Sequence, residues 1–165
     1  MHGHICAYLY TYSLNNGYVE GFSIFLLLGC SCNILFTFSQ NQDAVLGKWK
    51  TIDDETGKEK SIVELYKSSD GKLYGKVHTI LNPEKKNSIC DKCEDGKKDQ
   101  PIQGMVIVDG LQFVDGEWED GTILDPNNGT YYDCKIWVDE EDPNKLNVRG
   151  YVSFFFRTQY WYRVE

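Results

Sequence analysis

Lysine and arginine are absent from the first 47 residues, although the whole chain contains 17 of them. Glu20 and Asp43 are the only carboxylates in this part of the chain, so it is apolar and almost uncharged. It therefore lacks the basic n-region that normally precedes the apolar core of an export signal. The net charge of the whole chain is −8, and no basic face follows from its sequence. These features argue against a nucleic-acid-binding protein.

Scarce prolines, a missing helical period and missing catalytic motifs limit the fold classes and reaction types that fit the sequence. The chain has only four prolines and no helical period of useful length, whereas aromatic residues make up 14% of it and glycines number 15. This composition is typical of an all-β domain. No catalytic motif is present, and a serine–histidine–aspartate site would depend on His78 alone, which strand alternation places on the outer face. We therefore expect no catalytic residue, no metal and no cofactor.

An uncharged stretch of 18 residues, Gly21–Phe38, suggests export. It has the apolar core of a secretory signal, with a cleavage position after Ser39. Two alternatives stay open: Leu27-Leu28-Gly29-Cys30 resembles a lipoprotein signal, and the stretch is long enough to anchor the chain in a membrane. We expect a periplasmic or secreted protein in which membrane contact occurs only through residues 21–38, if these are not cleaved.

The chain thus divides into two parts. Residues 1–39 are interpreted as a signal peptide or as a spurious N-terminal extension, and residues 40–165 as a single β-barrel domain. In the second part, short alternating segments are separated by turn signals at intervals of roughly 10–12 residues. Consecutive hairpins of this kind predict about eight antiparallel strands in an up-and-down barrel, whose interior holds packed side chains or one small ligand.

The final strand is the clearest lead to a site. Because strand side chains alternate, Arg157, Gln159, Trp161 and Arg163 share one face. Two arginines on an inner face require partners. One interpretation assigns them to closure of the barrel. The other directs one arginine into a cavity, where its guanidinium suits a carboxylate or phosphate head group.

Residues 82–100 interrupt the alternation and are interpreted as a long surface loop, which contains Cys90 and Cys93. A disulfide between these two cysteines is our preferred interpretation, with free thiols, a metal site and a redox pair as alternatives. Cys134 is then an unpaired thiol inside a strand. Asp125–Gly129 is expected to be a turn rather than a cation site.

A set of motifs extends over residues 45–165: Gly47-x-Trp49, Leu73-Tyr74-Gly75-Lys76-Val77, Gly121-x-x-x-Asp125-Pro126-x-x-Gly129-x-x-Tyr132, Leu146-x-Val148-Arg149-Gly150 and Arg157-Thr158-Gln159-x-Trp161-x-Arg163. As a set, they resemble an uncharacterised bacterial exported family, domain of unknown function 2147, which is considered lipocalin-like. The resemblance implies that Gly47 and Trp49 close one end of the barrel, with Trp49 under the guanidinium of Arg157 or Arg163.

Two functions follow as the main hypotheses, and a third hypothesis is an enzyme that uses Arg157 and a carboxylate in the cavity. The first is an exported lipocalin-like barrel that binds a small hydrophobic or amphipathic, lipid-like molecule. Its candidate ligand-binding residues are Tyr132, Arg157, Gln159, Trp161 and Arg163. The second is a closed structural or interaction module of the cell envelope. Trp118, Tyr132, Tyr151 and Phe154–Phe156 are expected in the core or at the rim of the barrel in either case.

Overall fold

The computed structural model describes residues 41–164, so the predicted signal segment lies outside the described residues. Eight antiparallel strands form a closed barrel in which each strand pairs with the next and the last pairs with the first. This confirms the predicted eight-stranded up-and-down barrel. The strands are β1 (Gly47–Ile52), β2 (Glu59–Lys67), β3 (Leu73–Ile80), β4 (Val106–Val114), β5 (Glu117–Asp125), β6 (Thr130–Val138), β7 (Lys145–Val152) and β8 (Phe155–Arg163).

Helical structure in the described part is limited to three short 3-10 turns, Gln42–Val45, Pro83–Lys85 and Asp95–Lys97. None of these helices has the length or apolar character needed to cross a membrane. The barrel therefore depends on its strands, whose residues alternate between the two faces.

The inner face of the barrel holds the core. Every second residue of a strand points inward, and these positions carry the large apolar side chains. Trp49, Val63, Leu73, Val108, Leu111, Ile136 and Leu146 are fully buried there. Gly75 is also inward, where it allows the side chains of Leu65 and Val108 to approach its backbone closely. Burying this apolar surface is the main favourable contribution to folding.

The up-and-down order sends successive turns to opposite ends of the barrel. One end, called here the closed end, holds the start of β1, the end of β8 and the turns that follow β2, β4 and β6. The other end, called here the mouth, holds the turns that follow β1, β3, β5 and β7. Every residue in these turns can therefore be assigned to one end from the strand order alone.

The pairing between β1 and β8 closes the barrel over a short distance. Only three residue pairs are in register there, from Trp49↔Arg163 to Thr51↔Trp161, whereas β7 and β8 share eight. The paired region lies toward the closed end. Beyond Thr51, toward the mouth, β1 and β8 are not joined by registered pairs, so this is where the barrel wall is least continuous.

The loop between β3 and β4, residues 81–105, is called here the disulfide loop. Much of it is exposed, as predicted for a surface loop, but Cys90 and Cys93 are only 0% and 2% exposed and belong to the hydrophobic core. Its backbone is held by internal hydrogen bonds, such as Cys90 N–H to the Gln100 carbonyl at 2.9 Å. The loop is therefore an ordered cover at the mouth, anchored by its two cysteines.

Candidate ligand cavity and the closed end

Trp49 and Arg163 meet at the closed end. The guanidinium of Arg163 lies 4.1 Å from the centroid of the Trp49 ring, within the range of a cation–π contact. Arg163 also donates hydrogen bonds to the carbonyls of Leu46 at 3.1 Å and Ala44 at 2.5 Å. These bonds offset the cost of placing a cation in a half-buried position.

The segment that precedes β1 packs against this end. The Trp49 indole donates to the Val45 carbonyl at 2.7 Å, and the Trp118 indole donates to the Gln42 carbonyl at 3.0 Å. Each bond satisfies a backbone oxygen of the 3-10 turn Gln42–Val45 and a buried indole nitrogen together. Side chains thus fill the closed end, and they leave the remaining interior accessible from the mouth.

A cavity of about 760 Å³ occupies the other part of the barrel interior. This volume lies within the range of roughly 300–1,000 Å³ that is usual for small-molecule sites. Its wall is built from apolar residues of several strands: Val63, Val77, Ile107, Ile123, Leu124, Val148 and Trp161. Gly150 also lines it, and the missing side chain there leaves space beside Tyr132.

A few polar groups interrupt this apolar wall. The hydroxyls of Thr51 and Ser61 are hydrogen-bonded to each other at 2.8 Å, and both residues line the cavity. Trp161 is 2% exposed, and its indole nitrogen has no hydrogen-bond partner among the described residues. Such an unsatisfied buried donor costs free energy. This one belongs to β8 and lies beside the cavity.

An aspartate links the two sides of the mouth where the pairing of β1 and β8 has ended. The Asp54 carboxylate accepts a hydrogen bond from the Gln159 side-chain amide at 2.5 Å and forms an ion pair with Arg157, whose nearest guanidinium nitrogen lies 2.6 Å away. The Arg157 side chain remains 67% exposed. Its charge is only partly screened by Asp54, so the guanidinium is still accessible to an anion arriving from solvent.

Charged residues of both signs surround this opening. The cationic residues in the cavity lining are Lys58, Lys60, Lys85, Lys92 and Arg157. The anionic residues in the lining are Asp53, Glu59, Asp91 and Asp125. The charged groups come from the mouth loops and strand ends, whereas the apolar wall lies deeper. The cavity therefore changes from charged to apolar along its depth.

The predicted ligand-binding residues separate into two groups. Tyr132, Arg157, Gln159 and Trp161 all line the cavity. Arg163 does not line it, because its guanidinium contacts Trp49 and two carbonyls at the closed end. The inner face of β8 thus contributes residues to both ends of the barrel. Arg163 lies at the closed end, and Arg157 lies at the mouth.

The cysteines occupy distinct positions. Cys90 and Cys93 are joined by a disulfide, and the Cys90 sulfur lies 3.4 Å from the Pro126 carbonyl. This contact is not a hydrogen bond, because a disulfide sulfur carries no hydrogen. Cys134 is the free cysteine of the described chain, and burial raises the pKa of its thiol to about 12. A thiol with this pKa is unreactive at neutral pH.

The other candidate residues contact their neighbours in the fold rather than form a site of their own. His78 is exposed and faces outward, with its ring nitrogen 3.6 Å from Glu64. Asp125 accepts hydrogen bonds from the Asn127 backbone and side chain within its own turn, an arrangement that stabilises a turn. Asn128 donates to the Tyr132 hydroxyl at 2.8 Å and so orients a residue of the cavity wall.

The aromatic residues of the β7–β8 turn are far more exposed than expected for core positions. Phe154, Phe155 and Phe156 are 95%, 81% and 63% exposed, and Val152 beside them is 51% exposed. Trp118, by contrast, is 1% exposed in the core. The three phenylalanines form the tip of a hairpin that projects at the mouth.

Sequence reasoning missed the role of Asp54 and of the lysines at the mouth. Asp54 lies in a polar turn that carries no motif of its own. A signal was nevertheless available, because the strand order places the β1–β2 and β7–β8 turns at the same end of an up-and-down barrel. The carboxylate of one turn and the arginine near the other could therefore have been expected to meet.

Comparison with known proteins gives a family and a fold. A model of the domain of unknown function 2147 family, described as an uncharacterised protein conserved in bacteria, matches residues 47–163. No curated protein matches. A solved structure of protein HP1028 from Helicobacter pylori, described as a member of the lipocalin family, has a similar fold with a TM-score of 0.63 at 17% identity, covering 73% of this chain and 82% of that one. The chain therefore belongs to this uncharacterised bacterial family, and its barrel is lipocalin-like.

Proposed function

We propose that this protein is an exported lipocalin-like barrel that binds one small hydrophobic or amphipathic molecule. The observation that carries the proposal is the cavity of about 760 Å³ with an apolar wall and a charged mouth. A structural module with a filled interior, the alternative function, would need no such space. The Cys90–Cys93 disulfide supports export, because disulfides persist in oxidising compartments.

The polarity of the cavity indicates how the ligand lies in it. An apolar chain would contact Val63, Val148 and Trp161, where burial of apolar surface favours binding by about 25 cal/mol per Å². A carboxylate or phosphate head group would remain at the mouth beside Arg157, whose guanidinium is exposed. The ligand would then share Arg157 with Asp54 rather than meet an unpaired cation.

Native mass spectrometry of the full chain, expressed with export to the periplasm, tests the proposal. We expect a copurifying mass of lipid size that is released on denaturation. A cavity-filling variant, Gly150→Leu, is expected to abolish this adduct because its side chain enters the space beside Tyr132. The outward-facing variant Tyr162→Leu is the matched control, since Tyr162 is 41% exposed and does not line the cavity.

The results separate the two functions. A wild-type protein without adduct, which also fails to bind added fatty acids, fatty alcohols and lysophospholipids, would reject the binding function and favour an envelope interaction module. Equal adduct in wild type and Gly150→Leu would show that the molecule binds outside the cavity. Both variants should be checked by circular dichroism for an intact barrel.

A further inference from the structure

The tip of the β7–β8 hairpin, Val152–Phe156, is an exposed apolar projection. Phe154 occupies the turn and is 95% exposed, and Phe155 next to it is 81% exposed. Exposing aromatic rings to water is unfavourable, and soluble proteins rarely concentrate them in one place without a binding role. The tip therefore requires an environment other than water.

The shape of the tip indicates which environment. Phe155 and Phe156 are consecutive strand residues and point to opposite faces of the hairpin. Val152 pairs with Phe155, and the turn residue Phe154 extends beyond both. The tip is thus apolar on both faces. A protein partner covers one face of a hairpin, whereas a lipid environment surrounds an inserted tip on all sides.

Cationic side chains lie directly behind the tip. Arg157 follows Phe155 by two residues, which corresponds to about 7 Å along a strand. The Arg149 guanidinium lies 4.6 Å from the centroid of the Phe156 ring. Peripheral proteins insert apolar groups roughly 5–10 Å into the boundary between head groups and acyl chains. Arginine at this depth meets lipid phosphates, to which its planar fork donates well.

The position of the tip relates it to the cavity. Val152, Phe155 and Phe156 also line the cavity at its mouth. Insertion of the tip would therefore hold the mouth against the bilayer surface. An amphipathic molecule could then pass between the bilayer and the cavity with little exposure of its chain to water.

We propose that the hairpin tip Val152–Phe156 inserts into the surface of a lipid bilayer and places the cavity mouth against it. This contact is additional to the membrane contact expected from residues 21–38. It goes beyond the proposed ligand-binding function, because insertion of the tip does not require an occupied cavity. The partner is the lipid surface itself, with phosphate head groups around Arg149 and Arg157.

Quenching by brominated lipids tests insertion at the tip directly. The full-length variant Phe154→Trp is mixed with vesicles of phosphatidylcholine brominated on its acyl chains, with phosphatidylglycerol as the anionic lipid. We expect strong quenching and a blue shift of the added indole fluorescence, measured against the wild type. Trp49, Trp118 and Trp161 are buried and contribute little to quenching, and the wild type serves as the reference for the contribution of the outward-facing Trp137. Because the signal comes from the tip, it does not depend on how residues 1–40 associate with the vesicle.

A second variant set measures the contribution of the phenylalanines. With Phe154→Ser and Phe155→Ser combined, vesicle binding is expected to fall at least about tenfold, because two exposed rings no longer leave water. Tyr160→Ser with Tyr162→Ser is the matched control on the outer face of the same strand, and it should bind as the wild type does.

Three outcomes would overturn the proposal. The first is an unquenched indole at position 154 on vesicle-bound protein. The second is a wild-type chain that does not bind the vesicles. The third is an equal loss of binding in the serine and control sets, which would assign the interaction to general surface aromaticity. Loss of ligand binding alone would leave tip insertion measurable, so the two proposals can be rejected separately.

Discussion

At the scale of single residues, the two arginines of β8 show how position decides role. Both lie on the inner face of one strand, six residues apart, yet they serve opposite ends of the barrel. Arg163 is held at the closed end by Trp49 and by two carbonyls, and it does not line the cavity. Arg157 has one carboxylate partner, and its side chain is 67% exposed. Of the two arginines, only Arg157 lies at the mouth, where a ligand in the cavity can reach it.

Replacement of Trp49 tests the closed end. Trp49→Ala removes a fully buried indole, its hydrogen bond to Val45 and its contact with Arg163. We expect the free energy of unfolding to fall by about 3–5 kcal/mol, measured by urea denaturation. Trp137→Ala is the control, because Trp137 faces outward and contacts Arg149, so about 1 kcal/mol is expected. A loss below about 1 kcal/mol for Trp49→Ala would contradict its role at the closed end.

Replacement of Arg157 tests the head-group site. Arg157→Gln is expected to weaken binding of a fatty acid by about tenfold or more, because a charge-assisted hydrogen bond is lost. Binding of the fatty alcohol of the same length should change little, since its head group is uncharged. Isothermal titration calorimetry measures both affinities. Asp54→Asn, which frees Arg157 from its carboxylate partner, should strengthen fatty acid binding. If the ratio of fatty acid affinity to fatty alcohol affinity is the same in both variants as in the wild type, Arg157 does not recognise the head group.

The buried thiol of Cys134 makes stability depend on alkaline pH. Its pKa is raised to about 12 in the folded state, whereas the pKa of a thiol in an unfolded chain is about 8.5. Between these values the unfolded chain has lost the proton and the folded chain has kept it. The free energy of unfolding therefore falls as pH rises through this window, by at most about 1.4 kcal/mol per unit for this group.

The comparison with Cys134→Ala isolates this effect from lysines and tyrosines that titrate in the same range. Urea denaturation at pH 8 and at pH 10 should show the wild type losing about 2 kcal/mol more than the variant on this change of pH. Parallel behaviour of the two proteins would mean that the thiol ionises as easily in the folded state as in the unfolded state.

At the scale of elements, the disulfide loop and the β5–β6 turn depend on each other. Gly129 lies in that turn with φ of +73°, and a side chain added to it would clash with the Lys92 carbonyl oxygen. The Cys90 sulfur contacts the Pro126 carbonyl of the same turn. The disulfide loop therefore packs against the β5–β6 turn, and this packing requires a glycine at position 129.

Two glycine variants separate backbone strain from packing. Gly57 has φ of +68°, but a side chain there meets nothing within 4 Å. Gly57→Ala should cost about 1–2 kcal/mol, the usual cost of left-handed backbone for alanine. Gly129→Ala should cost at least about 2 kcal/mol more, because it also overpacks the contact with the disulfide loop. Thermal or urea denaturation compares them, and equal costs would show that the loop moves aside freely.

The sequence predicts regular elements better than irregular ones. β1, β3, β6 and β7 follow directly from the sequence pattern, since apolar and polar residues alternate along each of them. Asp109-Gly110 has the composition of a turn, yet both residues lie inside β4, because pairing with β5 continues past them. Burial of Cys90 and Cys93 was not predictable either, because the polar residues around them give no apolar period.

At the scale of the whole molecule, strand order accounts for most of the candidate site. Once an up-and-down barrel is predicted, the inward residues of β8 and the turns at each end follow from counting strands. The different roles of Arg157 and Arg163 do not follow from strand order, because they depend on which backbone carbonyls of the segment before β1 lie near Arg163. For Phe154–Phe156 the sequence left core and rim positions open, since a run of apolar residues ordinarily predicts burial, and it did not predict how exposed they are.

The filled closed end has a kinetic consequence. Trp49, Arg163 and the segment Gln42–Val45 occupy that end, so within the described chain the mouth is the route to the cavity. Entry and departure then use the same opening, and a second molecule cannot displace the first from behind. In a stopped-flow exchange experiment, the rate at which a bound fluorescent fatty acid leaves should stay constant as unlabelled competitor is increased. A rate that rises with competitor would reveal a second way through the barrel wall, for which the short pairing between β1 and β8 is the place to look.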